Sequence, residues 1–457
     1  MPAEAIPPTP SRARPHVAVV GAGFGGLALA DGLKSANVDV TLVDRQNHHL
    51  FQPLLYQVAT AALSPADIAA PIRAIVRKQP RTRVLPDEVV GVDADAKRLF
   101  LATGATLAYD YLALATGARH SYLGHDDWAE HAPGIKTLDD ATRVRAKILL
   151  AMERAETNRQ ENVSHRDDFL TFVIIGGGPT GVEMAGAVAE LTRHSAAMDF
   201  HHVTPACVRI VLVEAGDRLL PTFPEDLGAA AGEALESLGV TVRLNSLVTG
   251  IDAEGVDIGD QRIETMTVIW AAGFQASEAA AWLGAPADRG GRVQVEADLS
   301  APGRPEIFVI GDTATVTQTN GKPVPGIAPA AKQQGAYVAK VIAARVTGRP
   351  APGPFRYRDY GTLATIGRQR AVIDFGWMRL EGLAAWLIWS TAHLYFLVGF
   401  RNRLVVGLNW LWNYLTFNRG ARLITGVAPT RPPESTSQLP ITAQHPSLSP
   451  TRQEAGA

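Results

Sequence analysis

The chain has 457 residues, 46% of them hydrophobic and 19% charged, with a formal net charge of −2, so two or three globular domains are expected and no nucleic-acid partner is indicated. The single cysteine, Cys207, excludes an intramolecular disulfide, a Cys-x-x-Cys redox centre and a cysteine-based zinc cluster. Cys207 is therefore expected to be a small packing residue, and no metal site is predicted.

The start of the chain predicts a nucleotide-binding unit. Residues 1–15 are proline-rich and lack an apolar run, which indicates a disordered arm rather than a secretory signal. The predicted elements that follow are a strand over 16–20, the turn Gly21-Ala22-Gly23-Phe24-Gly25-Gly26, a helix over 27–34 and a strand over 38–43 that ends at Asp44.

This G-x-G-x-x-G turn suits the pyrophosphate of a dinucleotide. Gly21 permits the tight turn, Gly23 lets the backbone approach the phosphates, and Gly26 lets the helix and strand pack closely. The free amides and the dipole of the helix start favour an anion. Asp44 is predicted to accept hydrogen bonds from the adenosine ribose. The alternative is a glycine-rich turn without a ligand.

The same pattern recurs in the middle of the chain. Its elements are a strand over 169–175, the turn Gly176-Gly177-Gly178-Pro179-Thr180-Gly181, a helix over 182–191, a polar insertion over 193–205 and a strand over 209–213 that ends at Glu214. A carboxylate at Glu214 favours NADH, because it pairs with the ribose 2′-hydroxyl and repels the 2′-phosphate of NADPH. Arg218 could soften that preference. Two such units predict two dinucleotides and a relay from nicotinamide to flavin.

Several further segments resemble the two-dinucleotide-binding-domain flavoproteins and, among them, the type II NADH:quinone oxidoreductases. The resemblance covers roughly residues 16–426 and is carried by the glycine turns and by residues 44–59, 114–117, 270–273, 307–312 and 326–335. It implies FAD and NADH as cofactors. The residues expected at the cofactor sites are Gly21, Gly23, Phe24, Gly25, Gly26, Asp44, Arg45, Asn47, His48, Ala115, Thr116, Gly117, Gly311, Asp312, Ala328, Gly176, Gly178, Pro179, Thr180, Gly181, Glu214, Ala272 and Gly273.

The resemblance also implies two catalytic candidates, Glu183 and Gln333. Many members of the family have an A-Q-x-x-x-Q motif near the quinone, but this chain has Pro329 at the first glutamine position and Gln333 at the second. Glu183 is predicted in the first turn of the second helix, facing the cofactor cleft. The alternative is a glutamate that only stabilises the helix dipole.

The implied fold is α/β, with two Rossmann-like dinucleotide-binding domains and a C-terminal membrane-anchoring helical segment. The predicted division is an arm over 1–15, an FAD-binding domain over 16–120 and 286–350, an NADH-binding domain over 121–285, a C-terminal domain over 351–426 and a disordered tail over 427–457.

The C-terminal region suggests contact with a membrane. Residues 382–400 carry no formal charge, yet Trp386, Trp389 and Tyr395 are aromatic types that prefer the membrane–water interface. A second aromatic stretch over 404–417 follows Arg401-Asn402-Arg403. Two short aromatic helices with arginines at their ends favour a monotopic anchor in the headgroup plane. A spanning helix and burial in a soluble interface are the alternatives.

The sequence therefore predicts a respiratory-chain NADH:quinone oxidoreductase that does not pump protons. It is expected to be peripheral on the cytoplasmic face of the cell membrane, with ubiquinone or menaquinone as acceptor. Homodimers are common in the resembling family, although no residue pattern here demands one. The alternatives are a soluble NADH-dependent flavoprotein reductase and a redox-sensing flavoprotein with another acceptor. Disulfide reductases and sulfide:quinone oxidoreductases are disfavoured, because they require paired cysteines.

Five histidines are expected to have roles in packing, orientation or the polar insertion. His48 and His49 are expected to orient loop or cofactor contacts rather than bind a metal, and His393 is expected to be a packed, hydrogen-bonded residue. His201 and His202 are expected to lie in the polar insertion.

Overall fold

The computed structural model describes residues 14–157, 169–318, 321–416 and 419–426. Most of the predicted N-terminal arm and the whole predicted tail over 427–457 lie outside these residues. The described chain forms two large sheets, several small ones and a C-terminal pair of helices.

The first large sheet carries the first glycine turn. Its strands are β1 His16–Val20, β2 Asp39–Asp44, β5 Thr82–Pro86, β9 Tyr111–Leu114, β20 Ser300–Ala301 and β21 Arg304–Val309. The order is β20-β21-β9-β1-β2-β5, and every neighbouring pair is parallel except β20–β21. Every residue of β1 is buried, as a central parallel strand requires. The stretches 16–120 and 286–350 thus meet in one sheet.

The second large sheet carries the second glycine turn. Its strands are β11 Thr171–Ile175, β12 Arg209–Val213, β13 Val240–Arg243 and β17 Thr267–Trp270. They pair in the order β13-β12-β11-β17, and all pairs are parallel. β11 begins two residues later than the predicted strand over 169–175.

Smaller sheets accompany the two large ones, and one of them connects the two. Their strands are β3 His48–Leu50, β4 Ala69–Pro71, β6 Val89–Asp93, β7 Arg98–Leu101, β8 Thr106–Ala108, β10 Ala118–His120, β14 Val248–Ile251, β15 Gly255–Ile258, β16 Gln261–Glu264, β18 Phe274–Ala276, β19 Val293–Gln294, β22 Ala314–Thr315, β23 Thr362–Thr365, β24 Ala371–Asp374 and β25 Arg379–Glu381. The antiparallel pair β10–β18 joins the two segments that cross between the large sheets.

The α-helices cover both sheets and form the C-terminal pair. They are α1 Phe24–Leu33, α2 Leu55–Ala59, α3 Pro65–Ile68, α4 Ile72–Val76, α5 Leu138–Thr157, α6 Pro179–Glu190, α7 Ala196–Asp199, α8 Glu225–Ser237, α9 Ala279–Leu283, α10 Ala328–Val346, α11 Gly382–Phe396 and α12 Phe400–Thr416. Both helices after the glycine turns begin three residues earlier than predicted. The extended residues Gly23 and Gly178 precede them directly, so the last part of each turn is already helical.

The helices α11 and α12, here called the C-terminal pair, are the two short aromatic helices that the sequence predicts over 382–400 and 404–417. Leu397 is extended and Gly399 has a φ of +89°, so α11 ends at Phe396 and the chain turns before Phe400. No helix within the described ranges is long and apolar enough to cross a membrane.

The inner face of the helix α12 carries three asparagines beside the buried Val406. Asn402 donates to the carbonyl of Ala69 at 3.3 Å, and Asn413 donates to the carbonyl of Ala62 at 3.3 Å. Asn409 lies on the same face, with its amide 3.4 Å from Asp67 Oδ2. The opposite face is exposed and apolar; its residues are Phe400, Leu404, Leu408, Leu411, Trp412 and Leu415. A helix packed on the core of a water-soluble domain has polar and charged residues on its outer face, so the exposed apolar face of α12 is the unusual feature.

Candidate functional site

The first glycine turn is closed against the protein on one side and open on the other. A Cβ on Gly26 would lie 1.9 Å from the carbonyl oxygen of Gly21, so only glycine fits there. Gly21 itself has a φ of +96°, which favours glycine. At Gly23, by contrast, an added Cβ would meet no atom within 4 Å. The open side of the turn is therefore where a pyrophosphate fits.

Asp44 closes this turn at the end of β2. Its Oδ2 accepts the backbone N–H of Ala22 at 2.6 Å, and its Oδ1 accepts that of Gln46 at 2.8 Å. Each carboxylate oxygen has further lone pairs, which ribose hydroxyls can use. The neighbouring Arg45 is 3.8 Å from Glu88 Oε1 in an exposed ion pair.

The second turn repeats the arrangement. Glu214 accepts the backbone N–H of Gly177 through Oε2 and that of Gly216 through Oε1, the latter at 2.7 Å. A Cβ on Gly178 would again meet no atom within 4 Å. Arg218 donates to the carbonyl of Pro221 at 2.9 Å. One N–H of this guanidinium, which could weaken the preference for NADH, is thus bonded to Pro221.

The predicted crossover residues meet the late loop of the first sheet. Gly117 donates its N–H to Thr313 Oγ1 at 2.8 Å, and the Thr116 hydroxyl lies 3.2 Å from the same atom and 2.5 Å from Ser277 Oγ. Next to Thr313, Asp312 Oδ2 lies 3.5 Å from the ammonium of Lys136. Residues from distant parts of the sequence therefore converge here.

The other predicted cofactor residues lie at the starts of helices or directly after strands. Phe24 and Gly25 begin α1, Ala115 follows β9, Pro179, Thr180 and Gly181 begin α6, Ala272 and Gly273 follow β17, Gly311 precedes Asp312, and Ala328 begins α10. Asn47 lies in the loop after Asp44 and His48 begins β3, with His48 Nδ1 3.1 Å from Asn47 Oδ1.

Glu183 lies deeper in α6 than predicted. The helix begins at Pro179, which makes Glu183 its fifth residue, and its first turn contains no acidic residue. The predicted first-turn position was therefore wrong, and the dipole alternative loses its basis, since the dipole acts at the helix end. Burial raises the pKa of Glu183 to about 8, although the N–H of Thr365, 3.5 Å away, opposes the shift. At neutral pH the carboxyl holds a proton.

Gln333 is engaged by the backbone. Its Nε2 donates to the carbonyl of Arg358 at 2.9 Å, and its Oε1 accepts the N–H of Arg358 at 2.9 Å. The adjacent Gln334, which the sequence analysis did not single out, is the buried glutamine of α10 and accepts the N–H of Gly311 at 2.6 Å. In a Gln-Gln pair, only the rotation of the helix decides which side chain faces the cofactor loop.

A chain of polar contacts links the surroundings of Glu183 to the C-terminal pair. Trp410 Nε1 donates to Gln57 Oε1 at 2.7 Å, and Gln57 Nε2 donates to the Tyr56 hydroxyl at 2.8 Å. Burial, and after it the nearby Glu183, raises the pKa of Tyr56 well above its usual range. The sequence offered no signal for these residues beyond their position in the segment after Asp44.

Aromatic rings form a second link. Phe24 of the first glycine turn lies 5.0 Å from His49 and 5.8 Å from Phe51, measured between ring centroids. Phe51 lies 6.2 Å from His393, whose ring stacks on Trp389 at 4.1 Å. The row of rings therefore runs from the glycine turn into α11.

The histidines in this row are neutral. His49 Nδ1 donates to the carbonyl of Ala22 at 3.0 Å, and His393 Nδ1 donates to the carbonyl of Trp389 at 2.7 Å. Burial lowers the pKa of each histidine to about 4. The expectation that His393 is a packed, hydrogen-bonded residue is confirmed.

An ion pair fastens the end of the C-terminal region to α6. Arg419 Nη2 lies 2.8 Å from Glu190 Oε2, and Arg419 Nη1 donates to the carbonyls of Thr60 and Ala187. Burial lowers the pKa of Arg419, and Glu190 opposes that shift. The residues after α12 are thereby held against the helix that carries Glu183.

Comparisons with protein families agree with this geometry. Residues 15–335 match the pyridine nucleotide-disulphide oxidoreductase family, and residues 360–419 match the NDH2 C-terminal domain. The chain is 42% identical over 433 residues to the type II NADH:quinone oxidoreductase Ndh of Mycobacterium tuberculosis, covering 92% of both chains. It is also 42% identical to NdhA of the same organism, covering 90% of both chains.

A solved structure with a similar fold is NDH2 from Plasmodium falciparum in complex with NADH. The TM-score is 0.81 at 20% sequence identity, and the match covers 90% of this chain and 100% of that chain. At this identity the likeness concerns the fold alone.

Proposed function

The chain belongs to the type II NADH:quinone oxidoreductases, and from that premise we propose that its two glycine turns hold FAD and NADH while the C-terminal pair lets a membrane quinone reach the flavin. The observation that carries the proposal is the duplicated turn, in which Asp44 and Glu214 each bind two loop amides and keep lone pairs for a ribose. FAD, when bound, supplies the chemistry that takes two electrons from NADH and passes them to the quinone.

We assign FAD to the first turn and NADH to the second. Asp44 would hold the ribose of FAD, and Asp312 would contact the flavin chain. Glu214 would accept the 2′-hydroxyl of NADH and repel the extra phosphate of NADPH. Arg218 donates one N–H to Pro221 and keeps its charge and its other donors, so it would offset part of that repulsion.

Glu183 is the proposed proton donor on the way to the quinone. Reduction of a quinone to a hydroquinone consumes two electrons and two protons; the hydride of NADH supplies both electrons and one proton, and the second proton must come from water. A carboxyl with a pKa of about 8 holds this proton at neutral pH and can be reprotonated there. The proposed role of Gln333 is weaker, since both ends of its amide are bonded to Arg358.

We further propose that the protein is peripheral on the cytoplasmic face of the membrane. The support is the exposed apolar face of α12, together with exposed Leu383, Leu387, Phe396 and Trp377. Ubiquinone and menaquinone are both candidates for the acceptor. The homodimer stays a prediction, which light scattering of the detergent-solubilised protein can check.

The test is anaerobic reduction of the purified yellow protein by NADH, followed by reoxidation with ubiquinone and menaquinone analogues. We expect rapid bleaching of the flavin and rapid recovery with at least one quinone. Material without FAD, or flavin that stays oxidised with NADH, would contradict the proposal. Recovery only with a ferredoxin would support the soluble reductase. A long-lived reduced complex that turns over slowly would support the redox sensor.

A further inference from the structure

The proposed reaction needs a polar group that binds the quinone carbonyl, and Pro329, at the first glutamine position of the family motif, has no side-chain donor. At the second position, Gln333 already uses one N–H and one lone pair of its amide on the backbone of Arg358, which holds the side chain in place. Between these two positions on the same helix lies Lys332, which the sequence analysis did not single out.

Lys332 stands between the first glycine turn and the exposed end of α11. Its Nζ lies 5.0 Å from the ring centroid of Phe396, the last residue of α11. This part of α10 packs on the first glycine turn, because a Cβ on Gly335 would lie 2.1 Å from the carbonyl oxygen of Gly25. Lys332 therefore lies on the helix segment next to the glycine turn, with its ammonium at the exposed end of α11.

The ammonium of Lys332 is half-buried without a carboxylate partner in the described part of the chain. Burial lowers its pKa, and Arg403 lowers it further. A cation that is partly removed from water and repelled by another cation is costly unless a ligand accepts its hydrogen bonds. The aromatic ring of Phe396 offsets only part of that cost.

We propose that Lys332 donates a hydrogen bond from Nζ to a carbonyl oxygen of the quinone. This inference rests on the proposed function and names the group that orients the acceptor. As two electrons arrive, negative charge develops on the carbonyl oxygen, and a fixed ammonium stabilises that state more than the neutral quinone. Lys332 keeps its own proton, so the proton balance of the reaction is unchanged.

The experiment separates the two halves of the reaction in stopped flow. Lys332→Met keeps the aliphatic stem and removes the charge, Lys332→Arg keeps the charge, and Lys340→Met changes an exposed lysine two turns further along α10. We expect Lys332→Met to keep its FAD and its rate of flavin reduction by NADH. Reoxidation by a short-chain ubiquinone analogue should fall about 10–100-fold, the loss typical of a charge-assisted hydrogen bond. Lys332→Arg should recover part of the rate, and Lys340→Met should match the unchanged protein.

Two results would overturn the inference. One is a reoxidation rate for Lys332→Met equal to that of the unchanged protein. The other is a loss seen only with long-chain quinone in vesicles of anionic phospholipid and not with the short-chain analogue, which would mean that Lys332 binds a lipid phosphate. If Lys332→Met does not retain FAD, the same comparison is made with Lys332→Gln. Failure of NADH to reduce the flavin of the unchanged protein would count against the proposed function instead.

Discussion

The nucleotide-binding body and the C-terminal pair differ in where their apolar residues lie. In the body, strands such as β1 and β11 are buried along their whole length and almost entirely apolar, and the carboxylates of Asp44 and Glu214 accept backbone amides of the glycine turns. In α12 the inner face combines the buried Val406 with asparagines, whereas Leu408 and Trp412 are exposed on the outer face. The body is stabilised by the burial of apolar side chains. The outer face of the pair is suited to lipid, and the predictions below test this contrast.

The largest effect is expected inside the body, at Gly26. A Cβ there would clash with the carbonyl of Gly21, so Gly26→Ala should lower the free energy of unfolding by about 3 kcal/mol or more and abolish FAD binding. The matched control is Gly23→Ala, where the added Cβ meets no protein atom. It should leave the melting temperature of the FAD-free protein unchanged and weaken FAD binding only. Equal melting temperatures for the two variants would contradict this account of the turn.

The next effect concerns the outer face of the pair. Replacing Leu408 and Trp412 together by Gln should lower affinity for phospholipid vesicles by at least about 100-fold, because burial of each side chain in lipid contributes about 1.5–3 kcal/mol. The activity with a short-chain quinone should stay the same. Co-sedimentation with vesicles measures the change, and unaltered sedimentation would break the contrast between body and pair.

A variant on the inner face of α12 should affect stability rather than vesicle binding. Asn413→Ala removes the hydrogen bond to the carbonyl of Ala62, so it should lower stability by about 1 kcal/mol. Vesicle binding of the folded protein should be unchanged. A variant that loses vesicle affinity but not stability would show that this face, rather than the leucine face, contacts lipid.

At the boundary between the two regions, Glu183→Gln should slow reoxidation by quinone about 10–100-fold and leave reduction by NADH nearly unchanged. Because the pKa of Glu183 is raised to about 8, the carboxyl is protonated below that pH and loses its proton above it. The rate of quinone reduction in the unchanged protein should therefore fall as the pH rises through about 8, and the variant should lack this step. A pH profile identical in both proteins would remove Glu183 from the proton route.

Among the kinetic effects, the smallest is expected for nucleotide specificity within the body. Glu214→Gln removes the charge that repels a 2′-phosphate, so the ratio of kcat/KM for NADH over NADPH should fall about 10-fold. Affinity for vesicles should not change, since Glu214 belongs to the second sheet. Steady-state kinetics with both nucleotides measure the ratio, and an unchanged ratio would show that another residue sets the preference.

The glycine turns show which features can be predicted from a few neighbouring residues and which cannot. Their spacing and the acids Asp44 and Glu214 were read directly from the sequence, because they depend on a few neighbouring residues. The start of α6 was misplaced by three residues, which put Glu183 in the wrong turn. An extended glycine before a helix looks the same in sequence as a glycine inside the turn. The helix start is decided by backbone angles that the tertiary contacts fix.

The sequence by itself determined that two dinucleotide units are present, that a cysteine pair is absent, and that an uncharged aromatic segment follows them. Only the tertiary structure decided that Gln334 faces Gly311 while Gln333 faces Arg358, and that the ammonium of Lys332 lies beside the ring of Phe396. The physical reason is the distance in sequence between the residues that interact. Turns and strand patterns follow from adjacent residues, whereas the rotation of a helix and the partners it meets depend on segments far away in the chain.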